Sequence, residues 1–192
     1  GTAAYRASLA FLQARTIADY EQALKGWGAP SSNHVVAEKE GGSIARFTAG
    51  FVPVRPNWDG LLPVPGDGRY EWAGLRDPLT TPRVKEPVEG WVATSNQFNL
   101  TDDWLAPDNT PGFEWPDPAR YNTSSAALEA KPKHSFEDMR ALQASFHSNP
   151  AERVVPLLAE LPDSPAKAML LDWDFRLEAD SAAAALFETW FM

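Results

Sequence analysis

Proline is crowded into the middle of this 192-residue chain: residues 51–120 hold eleven of the 17 Pro, six of the 12 Gly and five of the eight Trp. Proline has no amide proton and a fixed φ, so it neither extends a helix nor sits inside a sheet ladder. The stretch is therefore expected to run mostly as irregular chain, pinned by Trp58, Tyr70, Trp72, Trp91, Trp104 and Trp115. One strand is predicted within it, Trp91-Val92-Ala93-Thr94-Ser95. So long a run with so little regular structure is unusual in a free-standing domain. It makes better sense as a wrap over a larger body.

The flanks are more regular. Residues 1–28 read as two helices. In the first, Tyr5, Leu9 and Leu12 fall at spacings of four and three, with Ala4 and Phe11 beside them, which predicts one apolar face. Thr16 starts the second, with Asp19 where a capping box puts a carboxylate; Tyr20, Leu24 and Trp27 form its stripe and Gly26 and Gly28 end it. A β-hairpin is predicted over 33–51, with Glu40-Gly41-Gly42 as a turn that tolerates positive φ. Its second strand puts Ala45, Phe47, Ala49 and Phe51 on one face and Ile44, Arg46 and Thr48 on a mixed other face.

Residues 120–192 return to helix. Ser135 caps one helix with Asp138, and Phe136, Met139, Leu142 and Phe146 form its stripe. Asn149-Pro150 opens the next, with Pro at the first helical position, and Pro156 is expected to bend it. Ser164-Pro165 repeats that start signal, and a last helix runs from Asp180-Ser181 through Trp190 and Phe191. Met192 follows with no polar tail or glycine cap, so the chain is expected to have been cut there.

Composition excludes several classes. Seventeen Lys+Arg against 26 Asp+Glu leave a net charge of −9, which argues against a nucleic-acid or anionic-membrane partner. With no Cys there are no disulfides, thiolate nucleophiles or zinc ribbons. No apolar run approaches the roughly 18–20 residues a membrane helix needs. Residues 1–5 lack the basic start and apolar stretch of a signal peptide.

Few side chains announce chemistry. His34, His134 and His147 stand in no metal-ligand spacing and are read as packing or surface residues. Asp102-Asp103 and Asp172-x-Asp174 are acidic pairs of the kind that bind calcium or serve a glycosidase, but a solvated loop explains them as well. Asn33, just before a strand, fits a turn or capping role, and Arg55 in a Pro-rich loop fits a solvated residue or one stacked on Trp58. Trp58, Trp72, Trp91 and Trp104 leave open a non-catalytic carbohydrate-binding module that stacks sugars.

The order of several blocks says more. Ala29-Pro30-Ser31-Ser32-Asn33-His34-Val35-Val36-Ala37-Glu38 is followed by Gly41-Gly42-Ser43-Ile44 and Gly50-Phe51-Val52-Pro53-Val54-Arg55. Next come Asp59-Gly60-Leu61-Leu62-Pro63-Val64-Pro65-Gly66, Tyr70-Glu71-Trp72-Ala73-Gly74-Leu75 and Gly90-Trp91-Val92-Ala93-Thr94-Ser95-Asn96. Asp172-Trp173-Asp174 and the segment from Asp180 to Phe187 close the pattern. Together they resemble the β-chain of the penicillin acylase family, over nearly the whole chain.

The resemblance implies an α+β chain: one fragment, 1–192, of the αββα sandwich of an N-terminal-nucleophile (Ntn) hydrolase. Its parts would be helical 1–28, strands and irregular wrap over 29–120, and helical 121–192. In the family a precursor cleaves itself, and the new N-terminal Ser attacks a linear amide with its own α-amine as base. The resemblance makes Asn33 an oxyanion-hole donor and Arg55, in the Pro-x-Arg pattern, an electrostatic support beside it. Asn96 is carried over as a substrate-lining residue, although Gln97 replaces the second Asn common in the family.

The implied substrate is a small acyl amide of a β-lactam nucleus, a homoserine lactone or a lipopeptide. The implied partners are the α-chain and the rest of the β-chain. No cofactor is required, a structural Ca²⁺ is expected in the intact enzyme without assignable ligands, and the location is periplasmic or secreted. Gly1 is not Ser, and no segment resembles the β-chain start with its nucleophile, so these residues alone are expected to be inactive.

Overall fold

The computed structural model describes residues 6–105 and 110–191. It is α+β and divides into two compact units, Gly1–Pro116 and Asp117–Met192.

In the first unit, helices α1 (Arg6–Phe11) and α2 (Ile17–Ala23) precede strands β1 (Ser32–Ala37) and β2 (Ile44–Ala49). Thr16 caps α2 as predicted: its hydroxyl accepts from the Asp19 amide at 3.1 Å, and the Asp19 carboxylate accepts from the Thr16 amide at 3.0 Å. β1 and β2 form the predicted antiparallel hairpin, with Asn33 opposite Thr48 and Val35 opposite Arg46. Gly41 and Gly42 turn it at φ of 95° and 77°, where a Cβ would be strained. Ala45, Phe47 and Ala49 point into a core with Ile17 and Leu24, against which Phe11, Tyr20 and Trp27 pack.

Helix α1 departs from its predicted face. Leu9 and Leu12 are 67% and 81% exposed, whereas Ala7 is buried and Phe11 packs on the core. The Phe11 ring stacks on Tyr20 at 4.3 Å, and that contact sets the rotation of a helix only six residues long. Tyr5 and Ala4 lie outside the described residues.

The irregular middle is less empty than expected. Strand β3 (Pro53–Val54) pairs antiparallel with β4 (Gly74–Leu75), and β5 (Arg83–Lys85) pairs antiparallel with β2. Two or three residues are too few to show a period, so sequence alone does not reveal such strands. Conversely, residues 91–95 do not form the predicted strand. The Gln97 side-chain oxygen takes the Ser95 amide at 2.7 Å, and Asn96 turns the chain at φ 66°. A side chain here supplies the acceptor that a neighbouring strand would have given.

The second unit is helical: α3 (Ala119–Glu129), α4 (Phe136–Gln143), α5 (Asn149–Val154), α6 (Pro165–Leu171) and α7 (Ala182–Phe191). Its core is Ala151, Val155, Leu170, Trp173, Ala184 and Phe187. Ser135 and Ser164 cap α4 and α6 as predicted. Helix α5 is capped by Ser148, whose hydroxyl accepts from the Ala151 amide, so Pro150 is the second helical residue and not the first. At Pro156 the helix tightens into a 3₁₀ segment, Val155–Glu160, the expected break at a residue with no amide proton. The α4 stripe is not buried: Phe136 is 79% exposed, and Met139 and Phe146 are exposed too. Trp173, the centre of the Asp-Trp-Asp block, is a core residue whose indole N–H donates to the Arg176 carbonyl at 3.1 Å.

Glu21 on α2 ties the sheet to the helices. Lys85 Nζ lies 2.5 Å from one carboxylate oxygen and the Arg83 guanidinium bonds the other. Burial opposes the charge on Glu21, but hydrogen bonds from Lys85 and Arg83 outweigh it and hold the carboxyl below its ordinary range. A carboxylate with a depressed pKa stabilises the fold fully above its unfolded value, and the gain fades as pH falls through the folded value. Glu21→Gln should therefore cost about 1–2 kcal/mol at pH 7. Thermal unfolding checks this, with the difference from the parent chain shrinking below pH 4.5, the ordinary value for Glu21.

Candidate active site

Alternation along β1 and β2 puts two kinds of chemistry on opposite sides of one sheet. Phe47 faces the core; Arg46 and Thr48, its neighbours, face the other way. Asn33, opposite Thr48 in the register, belongs to that second face. His34, one residue on, points back toward the core, where its Nδ1 shares a 2.8 Å hydrogen bond with the Tyr20 hydroxyl and its Nε2 a 2.9 Å bond with Ser32. Burial pushes the His34 pKa down, so the ring is neutral at pH 7 and serves packing.

The Asn33 side-chain oxygen accepts from three donors: Arg46 Nη1 at 3.2 Å, Thr48 Oγ1 at 3.3 Å and Asn99 Nδ2 at 3.1 Å. Arg46 has donors only, so its contact fixes the oxygen as the end of the carboxamide that points inward. The NH₂ end finds no acceptor among the described residues. Asn33 also lines a cavity of about 440 Å³ whose polar wall includes Thr48, Asn96 and Asn99, with apolar surface from Phe51 and Trp115. A larger cavity, about 570 Å³, lies where Phe11, Tyr20 and Glu38 meet, and none of Asn33, Arg55 and Asn96 lines it.

Asn33 and Asn96 therefore meet at one cavity. Arg55 is not among its lining residues. Its guanidinium sits 5.4 Å over the Trp58 ring, and Nη1 donates to the Thr110 carbonyl at 3.4 Å. Arg55 Nε is buried with no hydrogen-bond partner among the described residues. The guanidinium that touches Asn33 is that of Arg46.

A family model described as penicillin amidase matches residues 1–192. This chain belongs to the penicillin amidase family. It is 32% identical to penicillin acylase 2 proenzyme from a Pseudomonas species over 184 residues, covering 91% of this chain and 23% of that protein. It is also 32% identical to the acyl-homoserine lactone acylase QuiP of Pseudomonas fluorescens, covering 76% of this chain and 20% of that one. A thermostable penicillin G acylase from Alcaligenes faecalis superposes with a TM-score of 0.77 at 26% identity, over 97% of this chain and 36% of that chain. The chain thus spans about a fifth of the length of these two curated relatives.

Of the four tryptophans that leave open sugar stacking, Trp104 and Trp58 have structural partners, while Trp72 is 58% exposed. Trp104 is buried and donates to the Thr80 carbonyl at 3.1 Å, and Trp58 donates to the Leu62 carbonyl at 2.8 Å beneath Arg55. Among the described residues, no three His, Asp or Glu side chains converge to hold a metal ion. No helix among the described residues is long and apolar enough to cross a membrane.

Sequence reasoning missed Arg46, Thr48 and Asn99. Alternation did place Arg46 and Thr48 away from the core. Asn99, 66 residues from Asn33, carried no local signal.

The Asp59-Gly60 block has a physical reason of its own. Gly60 has φ 96°, and a Cβ there would stand 3.0 Å from Arg55 Cζ. Gly60→Ala should destabilise the loop by about 1–2 kcal/mol and displace the guanidinium from Trp58. Thermal unfolding together with the Trp fluorescence of the variant checks both effects.

Proposed function

We propose that this chain is part of a larger amide hydrolase in which an N-terminal serine, contributed by chain outside these residues, attacks a linear acyl amide. As the Ser Oγ bonds to the carbonyl carbon, its proton passes to the serine's own α-amine and negative charge gathers on the carbonyl oxygen. Asn33 Nδ2 donates to that oxygen. Collapse of the tetrahedral intermediate expels the amine, which takes the proton, and water then releases the acyl group.

The observation that carries this reading is the three-donor clamp on Asn33 Oδ1. It leaves the N–H edge of the amide as a preorganised donor beside a cavity, the arrangement that stabilises a developing alkoxide at least reorganisation cost. Asn96, on the same wall, is assigned to substrate contact. Arg55 is assigned to electrostatic support, and its buried, unpartnered Nε–H is consistent with a partner supplied by the rest of the enzyme. The names of the relatives, penicillin acylase and acyl-homoserine lactone acylase, support an acyl group joined to a small amine as the substrate class. The α-chain and the rest of the β-chain complete the site.

In the full-length enzyme, Asn33→Ala should lower kcat by about 10²–10³, the usual effect of removing one oxyanion donor, with little change in KM. Steady-state hydrolysis of an acyl-amide chromogen measures it. Wild-type turnover in that variant would remove Asn33 from the chemistry.

A further inference from the structure

We propose that Arg46 is a positioning residue that holds the Asn33 carboxamide in its donating orientation; this deepens, and rests on, the reading of Asn33 as oxyanion donor. Arg46 lies in the central strand of the three-stranded sheet, paired with Val35 on one side and Val84 on the other, so its backbone is held from both edges. The residue is only 6% exposed. Placing a guanidinium there costs desolvation, and a strand residue with a purely architectural role on that face would be better served by a neutral β-branched side chain.

The fork explains the placement. Nη1 donates to Asn33 Oδ1 and to Thr48 Oγ1, each at 3.2 Å, while Nη2 donates to the Asn99 carbonyl at 3.3 Å. One planar group thereby holds Asn33 itself and the two other residues that donate to it. The guanidinium can only donate, whereas a hydroxyl and a second amide can also accept, so Arg46 is the partner that disfavours a flip of the Asn33 amide. The positive charge also draws electron density to Oδ1 and leaves Nδ2–H a stronger donor. Arg46 acts through Asn33 and is placed in contact with it, not with the substrate.

The test uses full-length acylase with Arg46→Met, Arg46→Lys, Asn33→Ala and the double variant Asn33→Ala/Arg46→Met, measuring kcat and KM separately. Arg46→Met should lower kcat about tenfold with KM nearly unchanged, as expected for an interaction realised in the transition state. Arg46→Lys should recover part of the loss, and the double variant should be no slower than Asn33→Ala alone. Equal losses from Arg46→Met in the parent and Asn33→Ala backgrounds, or a rise in KM at constant kcat, would overturn the proposal. If Arg46→Met does not fold, Thr48→Val and Asn99→Ala each remove one donor to Oδ1 without touching the buried charge. Each should lower kcat by a smaller factor, and wild-type kcat in both overturns the clamp. Wild-type turnover in Asn33→Ala would instead refute the donor role of Asn33 itself, an outcome distinct from a slow Asn33→Ala beside an unaffected Arg46→Met.

Discussion

The register of β1 against β2 is the constraint on which the candidate site depends. With Asn33 opposite Thr48 and His34 opposite Phe47, the ring of Phe47 enters the core while Arg46 and Thr48 close on the Asn33 amide. A slip of one residue would exchange the two faces, putting a guanidinium into the apolar cluster and Phe47 at the cavity. Burying Phe47 among Ile17, Leu24, Ala45 and Ala49 therefore fixes the site as firmly as it fixes the fold. Core and chemistry share one strand, and neither can shift without the other.

What the sequence made legible were features whose cause is local. Thr16 with Asp19 and Ser135 with Asp138 are reciprocal caps made within four residues, and the Gly41-Gly42 turn needs only its own backbone freedom. Non-local features were lost. β5 exists because β2 offers an edge to it, and the 91–95 segment stays irregular because Gln97 satisfies the Ser95 amide. Periodicity failed for a different reason at Leu9, Leu12, Phe136 and Phe146. An apolar stripe states what a helix face needs, not whether the surface that meets it belongs to the same stretch of chain. These faces are exposed in a chain that covers 36% of a related solved chain.

The site was legible in a similarly divided way. Asn33, Arg55 and Asn96 came from the order of whole blocks, since an Asn before a strand and an Arg in a proline-rich loop have ordinary explanations. Arg55 in fact stacks on Trp58, as its ordinary explanation had it, while Asn33 and Asn96 share a cavity wall. The donors that orient Asn33 were half visible: strand alternation sends Arg46 and Thr48 away from the core but does not say what they meet. Asn99 reaches Asn33 across 66 residues of sequence, through a loop whose path no local rule predicts.

A net charge of −9 is at first sight hostile to a reaction that builds an oxyanion, yet range decides the matter. Exposed carboxylates act through water and are screened beyond about 8 Å at physiological ionic strength. The groups proposed to meet the developing charge act at hydrogen-bond distance, in a place partly shielded from water, where each fixed dipole counts for far more. The buried Arg46 guanidinium, joined to Asn33 Oδ1 at 3.2 Å, is less screened by water than an exposed carboxylate. The acidity of the chain thus governs how it meets bulk partners, while the field at the proposed oxyanion position is shaped at short range by Asn33 and the donors that hold it.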